Sequence, residues 1–147
     1  MLLSILSDPK HTLIEDELFN EFLSFGISLL EGGNQNVQKT IFNFCTYYQK
    51  SEVMFAKFHS IIYEQINTLN SLQSKDTSTK IENQEDIEKH TLKPEILERT
   101  LRLMQLFTEG HNLNLQNYLR YQTNSRNRYN MVEAVIELDR KSTRLNS

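Results

Sequence analysis

The chain has no tryptophan, one cysteine, two prolines and four glycines among its 147 residues. So few helix-breaking residues over this length favour long helices over a β-fold with many turns. The single cysteine, Cys45, cannot form an internal disulfide, which fits an intracellular compartment, and its aromatic neighbours predict a buried thiol. No window approaches the ~20 consecutive apolar residues of a membrane span, and the opening MLLSILSDPK is a poor signal peptide. We therefore expect a soluble chain without a membrane span.

The chain also lacks a strong excess of either positive or negative charge. The 16 Lys and Arg residues and 19 Asp and Glu residues give a formal net charge of −3, and neither sign forms a long block. This balance does not favour a nucleic-acid partner. Arg120, Arg126 and Arg128 do cluster, but three arginines in one polar loop are more typical of a solvated corner than of a phosphate track.

Apolar residues recur at helical spacing along most of the chain. The pair Thr12 and Glu15 predicts a capping box at the start of a first helix. One apolar stripe follows at spacings of three and four, and a second widens it, so we expect this helix to be a central element covered on more than one side. The first stripe is Leu18, Phe22, Phe25 and Leu29; the second is Ile14, Phe19, Leu23, Ile27 and Leu30.

Four further helices are predicted from the same periodicity. They start at Asn34, near Ser51, at Pro94 and near Asn112, and Asn130 with Glu133 predicts the cap of a last helix. The polar stretch from Gln73 onward has few large apolar residues and is predicted to be a disordered linker. We therefore divide the chain into a first helical block (1–72), a polar linker (73–91) and a second helical block (92–138).

The closing letters DRKSTRLNS break the apolar pattern after Leu138. They resemble the translation of a sequencing adapter joined to a truncated reading frame, so we expect residues 139–147 to be a non-native tail; a natural polar tail is the alternative. Genomic sequence across this exon is then expected to continue differently after Leu138.

A short string occurs twice, as EGGNQNVQ at residues 31–38 and as EGHNLNLQ at residues 109–116. A phosphate-binding loop of the Walker type needs spaced glycines followed by Lys and Ser or Thr after a strand, and neither copy has that ending. A corner between two helices explains each letter: glycine ends one helix, asparagine caps the next, and Val37 or Leu115 points inward.

His111 and Cys45 are the residues most suggestive of chemistry. A zinc centre needs four ligands, or three and water, and the other histidines, at positions 11, 59 and 90, lack paired spacing. A capping or hydrogen-bonded corner histidine is therefore expected at position 111. Cys45 with His59 could act as nucleophile and base only if the fold joined them. We predict no enzyme activity and no catalytic, cofactor-binding or metal-binding residues.

The repeated corner with flanking apolar helices indicates helical hairpins that stack and complete one another's cores. The predicted fold is all-α, with armadillo-like stacked helical hairpins and a disordered polar insert. Gln38 and Gln116 lie at matching places just inside their helices, where each amide could bond the backbone of the preceding corner or could point into solvent.

In this context the corners carry a family resemblance. GISLLEGGNQNVQKTIF with QKSEVMFAKFHSII, and LMQLFTEGHNLNLQNYLRYQTN with RYNMVEAVIELD, resemble the RIH-associated domain of inositol trisphosphate receptors and ryanodine receptors. The resemblance covers about Phe19 to Ile66 and Leu101 to Leu138. The LLEGGN and SEVMF strings look more like inositol trisphosphate receptors, while EGHN with QNYLR and QTN looks at least as close to ryanodine receptors, and we lean toward the former.

The resemblance implies a role and partners. It implies a cytosolic helical segment of a homotetrameric, ligand-gated calcium-release channel of the endoplasmic reticulum. There the segment would lie among neighbouring solenoid domains and relay movement between ligand-binding region and pore. The chain lacks the basic inositol-phosphate pocket and the pore helices of such channels, so we expect this fragment to conduct no ions and bind no inositol phosphate. A stand-alone armadillo-like adaptor that binds a partner peptide is the alternative.

Overall fold

The computed structural model describes residues 16–47, 51–75 and 94–146. These residues form six α-helices and one 3-10 turn, Glu109–His111, and contain no strand. The helices are α1 (Asp16–Leu30), α2 (Gln35–Tyr47), α3 (Glu52–Lys75), α4 (Pro94–Thr108), α5 (Leu113–Arg120) and α6 (Met131–Asn146). The all-α prediction is therefore confirmed.

The helices form two three-helix units that repeat each other, which we call unit 1 (α1–α3) and unit 2 (α4–α6). The second helices begin at Gln35 and Leu113, 78 positions apart, and the first helices end at Leu30 and Thr108, which are separated by the same number. Each helix packs on its counterpart: α1 on α4, α2 on α5 and α3 on α6, with the first and last of these pairs the most extensive. Stacked helical units of this kind bury a continuous core between neighbours.

One core runs through both units, so the two helical blocks of the sequence are packed side by side. Its largest fully buried side chains come from α1, α3 and α4, with Phe19, Phe55, Phe58 and Phe107 among them. Phe55 and Phe58 lie edge to face with ring centroids 5.8 Å apart, and Phe19 contacts Phe58 at 6.1 Å. Phe55 also packs on the Tyr118 ring of α5 at 5.5 Å, so this ring cluster of unit 1 continues into unit 2.

The two apolar stripes of α1 lie in different surroundings. The inner stripe faces α4 and is buried or half-buried; it consists of Phe19, Leu23, Ile27 and Leu30. The outer stripe, Leu18, Phe22, Phe25 and Leu29, is covered at Phe22 but leaves Leu18 47%, Phe25 50% and Leu29 44% exposed. The expectation that α1 is covered on more than one side is therefore wrong for most of the outer stripe among the described residues. Close packing on the inner side occurs at Gly26, where an added Cβ would lie 3.0 Å from Leu103 Cδ1.

Several predicted boundaries can be compared with the structure. Helix α3 runs through Lys75, so Gln73 and Ser74 are helical and the predicted linker start at residue 73 is wrong; half-buried Leu69 continues the apolar stripe almost to that point. The rest of the linker and the Thr12–Glu15 capping box lie outside the described residues. Helix α6 continues to Asn146, but its last buried residue is Leu138. The assignment of residues 139–147 as a non-native tail stays a prediction.

Leu23 and Leu18, one from each stripe of α1, provide a direct test of which stripe carries the core. We expect Leu23→Ala to lower the free energy of unfolding by about 2–5 kcal/mol, because it removes a fully buried side chain and leaves a cavity. Leu18→Ala, the same change on the outer stripe, should change it by less than about 0.5 kcal/mol. Urea denaturation followed by circular dichroism measures both values. Equal losses for the two variants would contradict this assignment.

Candidate functional site

The two repeated strings form corners between helices, which we call corner 1 (residues 31–34) and corner 2 (residues 109–112). Each has two successive residues in the left-handed backbone region: Gly32 and Gly33 with φ of 75° and 70°, and Gly110 and His111 with φ of 69° and 60°. Glycine adopts this region without steric cost, which explains three of the four positions. The helix-corner interpretation of both strings agrees with this geometry.

An asparagine closes each corner and caps the next helix. Asn34 Oδ1 accepts a hydrogen bond from the Val37 amide at 3.2 Å, and Asn112 Oδ1 accepts one from Leu115 at 3.1 Å. Asn130 caps α6 in the same way, accepting from the Glu133 amide at 3.2 Å. The side-chain oxygen satisfies a backbone donor that has no partner inside the helix.

Gln38 joins the two units through corner 2. Its side chain is fully buried, and its Nε2 donates to the backbone oxygens of Leu106, at 2.9 Å, and Glu109, at 3.0 Å. Its Oε1 accepts from Asn112 Nδ2 at 3.0 Å. The amide thus bonds the corner of the neighbouring unit, so neither of the two alternatives left open by the sequence, the preceding corner or solvent, is correct for Gln38.

The corners also touch directly. A Cβ added to Gly33 would lie 3.4 Å from Glu109 Cγ, so corner 1 packs against the side chain that opens corner 2. Gln116, the counterpart of Gln38, is only half-buried and makes no side-chain hydrogen bond with the residues that the structure describes. The paired corners with Gln38 are therefore an asymmetric junction between two similar units.

His111 is an exposed corner residue. Its imidazole lies outside the core, and its backbone holds the left-handed conformation taken by Gly33 at the matching place. The hydrogen bond or cap expected of this histidine is not seen within the described ranges. No three His, Cys, Asp or Glu side chains in those ranges lie close enough together to hold a metal ion.

Cys45 and His59 lie in different surroundings. The Cys45 thiol is buried, and burial raises its pKa to about 12 against the opposing effect of a hydrogen bond with Ser51. A thiol with so high a pKa is almost entirely protonated at neutral pH and is a poor nucleophile. The His59 ring instead stacks on Tyr63 at 4.3 Å and packs against Tyr129 at 5.1 Å, and partial burial lowers its pKa.

A buried hydroxyl pair lies beside the Cys45 thiol and adds to the junction. Ser51 Oγ and Tyr118 Oη are 2.7 Å apart, and Tyr118 Oη also donates to the backbone oxygen of Cys45 at 3.2 Å. The Tyr118 ring packs edge to face on Phe55 at 5.5 Å. Sequence reasoning missed this contact, because a tyrosine in an apolar stripe gives no indication of which distant hydroxyl its Oη will meet.

The arginine-rich loop between α5 and α6 is fixed to unit 1. Glu52 accepts from the backbone amides of Arg126 and Asn127, both at 3.3 Å, and from Asn127 Nδ2 at 2.7 Å. The Arg128 guanidinium lies 4.4 Å from the Tyr121 ring centroid. The three arginines are exposed, so this loop has the character of the solvated corner that was expected.

The comparison with known families concerns unit 2. Residues 91–145 match the family model described as RyR and IP3R Homology associated. This part of the chain is therefore similar to that family. The match contains corner 2 and the second of the two segments that carried the resemblance.

The RIH-associated match indicates part of a channel of the ryanodine receptor and inositol trisphosphate receptor type, a family of channel receptors and not a known enzyme family. It does not distinguish the two receptor types. Residues Phe19 to Ile66 precede the matched range, so the resemblance of unit 1 to the family stays a prediction. No helix among the described residues has the length and apolar character to cross a membrane.

The Gln38 junction can be tested with its unbonded counterpart as control. Gln38→Ala should lower the free energy of unfolding by about 1–3 kcal/mol, because the backbone oxygens of Leu106 and Glu109 and the side chain of Asn112 lose their partner. Gln116→Ala should change it by less than about 0.5 kcal/mol. Chemical denaturation of both variants measures the difference. Matching values would show that the junction adds nothing to stability.

The left-handed residues of corner 2 provide a second test. Gly110→Ala should lower the free energy of unfolding by about 1 kcal/mol, because a Cβ is unfavourable at φ 69° although nothing lies within 4 Å of it. His111→Gly should raise the free energy of unfolding by a smaller amount, since it relieves the same strain at the next position. Thermal melts of both variants measure these shifts, and an unchanged melting temperature for Gly110→Ala would remove the assignment.

Proposed function

We propose that this chain is a cytosolic relay segment of a ligand-gated calcium-release channel of the endoplasmic reticulum, which assembles as a homotetramer. In this proposal the segment lies among neighbouring solenoid domains, between the ligand-binding region and the pore. It conducts no ions and catalyses no reaction by itself. The match of residues 91–145 to a family named after ryanodine and inositol trisphosphate receptors supports the channel context.

The observation that carries the relay role is the Gln38 junction. A relay must pass a displacement from one end to the other without absorbing it, which requires rigid contacts between its parts. Gln38 fixes α2 to corner 2 by three hydrogen bonds, and α1 and α4 approach closely enough at Gly26 that a Cβ would meet Leu103 at 3.0 Å. Units 1 and 2 should therefore move as one body.

A first experiment tests the channel context. A long-read transcript through both ends of this coding sequence should show one continuous frame, with a ligand-binding region upstream and pore helices downstream. Start and stop codons at Met1 and Ser147 would contradict the relay proposal.

A second experiment tests the relay in the full-length channel. Gln38→Ala should weaken coupling, so that ligand binding is unchanged while the ligand concentration for half-maximal calcium release rises, with a coupling loss of about 0.5–2 kcal/mol. Gln116→Ala is the matched control and should release calcium as the unmodified channel does. Normal gating of the Gln38 variant would exclude this junction from the relay.

A second candidate function is an armadillo-like adaptor that binds a partner peptide. The observation that favours it is an apolar groove between α1 and α2, lined among others by Phe25, Leu29 and Phe44. Amphipathic peptide helices bind in grooves of this kind through apolar anchors. The adaptor requires a short coding sequence, so the same transcript distinguishes the two functions.

A further inference from the structure

The repeat relation between the units shows where a further helical unit fits. Because corresponding residues are 78 positions apart, each position of the outer stripe of α1 has a counterpart on α4. Leu18, Phe22, Phe25 and Leu29 correspond to Ile96, Thr100, Leu103 and Phe107. The two stripes occupy the same place in their units, so their surroundings can be compared residue by residue.

The two stripes differ in burial. In unit 2 all four residues are buried, with 0–2% exposed, because α4 packs on α1 and Leu103 contacts Gly26. In unit 1 the counterparts Leu18, Phe25 and Leu29 remain 44–50% exposed. The stripe on α4 is thus covered by the unit that precedes it, whereas no described residues cover most of the same stripe on α1.

Phe22, Phe25 and Leu29 of the outer stripe form one wall of the groove between α1 and α2. The groove has a volume of about 670 Å³, its second wall includes Val37 and Ile41 of α2, and its floor is Leu103 and Phe107. None of its lining side chains is charged. Residues 22–47 contain only Glu31 and Lys39 as charged residues, although 24% of the whole chain is charged. The groove therefore matches an apolar, uncharged helix face.

The opposite face of the stack is different. On unit 2 the counterparts of the inner stripe are Leu97, Leu101, Gln105 and Thr108. Exposed Glu98 and Arg102 lie beside them, at the counterparts of half-buried Asn20 and Ser24. A second copy that stacked head to tail would place this charged face on the uncharged groove, at the cost of desolvating those charges. The charge pattern therefore favours a unit with an apolar inner face over a second copy.

We propose that the α1–α2 groove docks a further helical unit of the same type, stacked on unit 1 as unit 1 is stacked on unit 2. Its first helix presents an apolar stripe like Phe19, Leu23 and Leu30 to the exposed outer stripe. Its second helix presents an amide side chain to the backbone oxygens of Ser28 and Glu31, the counterparts of those that Gln38 bonds in unit 2. The docking surface deepens the proposed function and rests on it for the origin of the covering unit.

The experiment uses α1 itself as the probe, because its inner stripe already covers an outer stripe within the protein. The probe is a synthetic peptide of residues 16–30 with Glu21→Lys and a lactam bridge from Glu17 to position 21, which holds the helix without touching the inner stripe. It is added to the isotope-labelled 147-residue chain, and binding is followed by nuclear magnetic resonance. We expect shifts at Leu18, Phe25 and Leu29.

Matched variants distinguish binding in the groove from non-specific hydrophobic binding. Phe25→Glu in the chain should raise the Kd of the peptide at least about tenfold, because it places a charge in the groove at a side chain that is half exposed. Leu113→Glu makes the same change in charge at a 64% exposed leucine outside the groove and should leave the Kd unchanged. A peptide with Leu23→Glu keeps the outer stripe but loses the inner one and should bind at least about tenfold more weakly.

Three results would overturn the proposal: no shifts in the groove, binding that Phe25→Glu leaves intact, or equal binding of the Leu23→Glu peptide. Sedimentation of the chain alone supplies a fourth result that would overturn the proposal. A species of twice 17.4 kDa that Phe25→Glu abolishes would identify a second copy as the occupant. These outcomes are separate from the proposed function. Peptide binding in the groove without a channel-like coding sequence would retain the docking proposal and reject the relay. A channel-like coding sequence without peptide binding would retain the relay and reject the docking proposal.

Discussion

The structure depends on the fit between two corners that are 78 residues apart. The Gln38 amide can donate to the backbone oxygens of Leu106 and Glu109 and accept from Asn112 only at one position of α2 relative to corner 2. Apolar burial brings the two units together, but it is non-directional and tolerates sliding along a helix. Three hydrogen bonds from a fully buried amide do not tolerate sliding, because a displaced amide would leave buried polar groups without partners. The junction therefore fixes the register of the whole stack.

Local features of this fold follow from the sequence, whereas the contacts that join the units do not. The caps at Asn34, Asn112 and Asn130 depend on residues three positions apart, so a single string contains the information. The partner of Gln38 lies 68 residues away, and nothing in the string QNVQK indicates it. The sequence offered only the preceding corner or solvent for this amide, because a partner on another unit becomes visible only when the units are packed.

Helix α1 shows a second limit of sequence reasoning. Both of its apolar stripes have helical spacing, so periodicity predicts two covered sides and cannot say which one the rest of this chain covers. In the structure α4 packs close to α1 at Gly26, where an added Cβ would lie 3.0 Å from Leu103 Cδ1, and the spacing of the two stripes does not indicate this contact. Composition and motif spacing argued against a catalytic centre at Cys45 or His111. The groove that we propose as a docking surface became apparent only when the two units were compared residue by residue.

The position of the junction has a consequence for how the chain can be divided. Among the described residues, register is set by the contacts between Gln38 of unit 1 and corner 2 of unit 2. Because these contacts join the two units directly, we expect unit 1 and unit 2 supplied as separate polypeptides to find each other again and reconstitute the original arrangement by complementation.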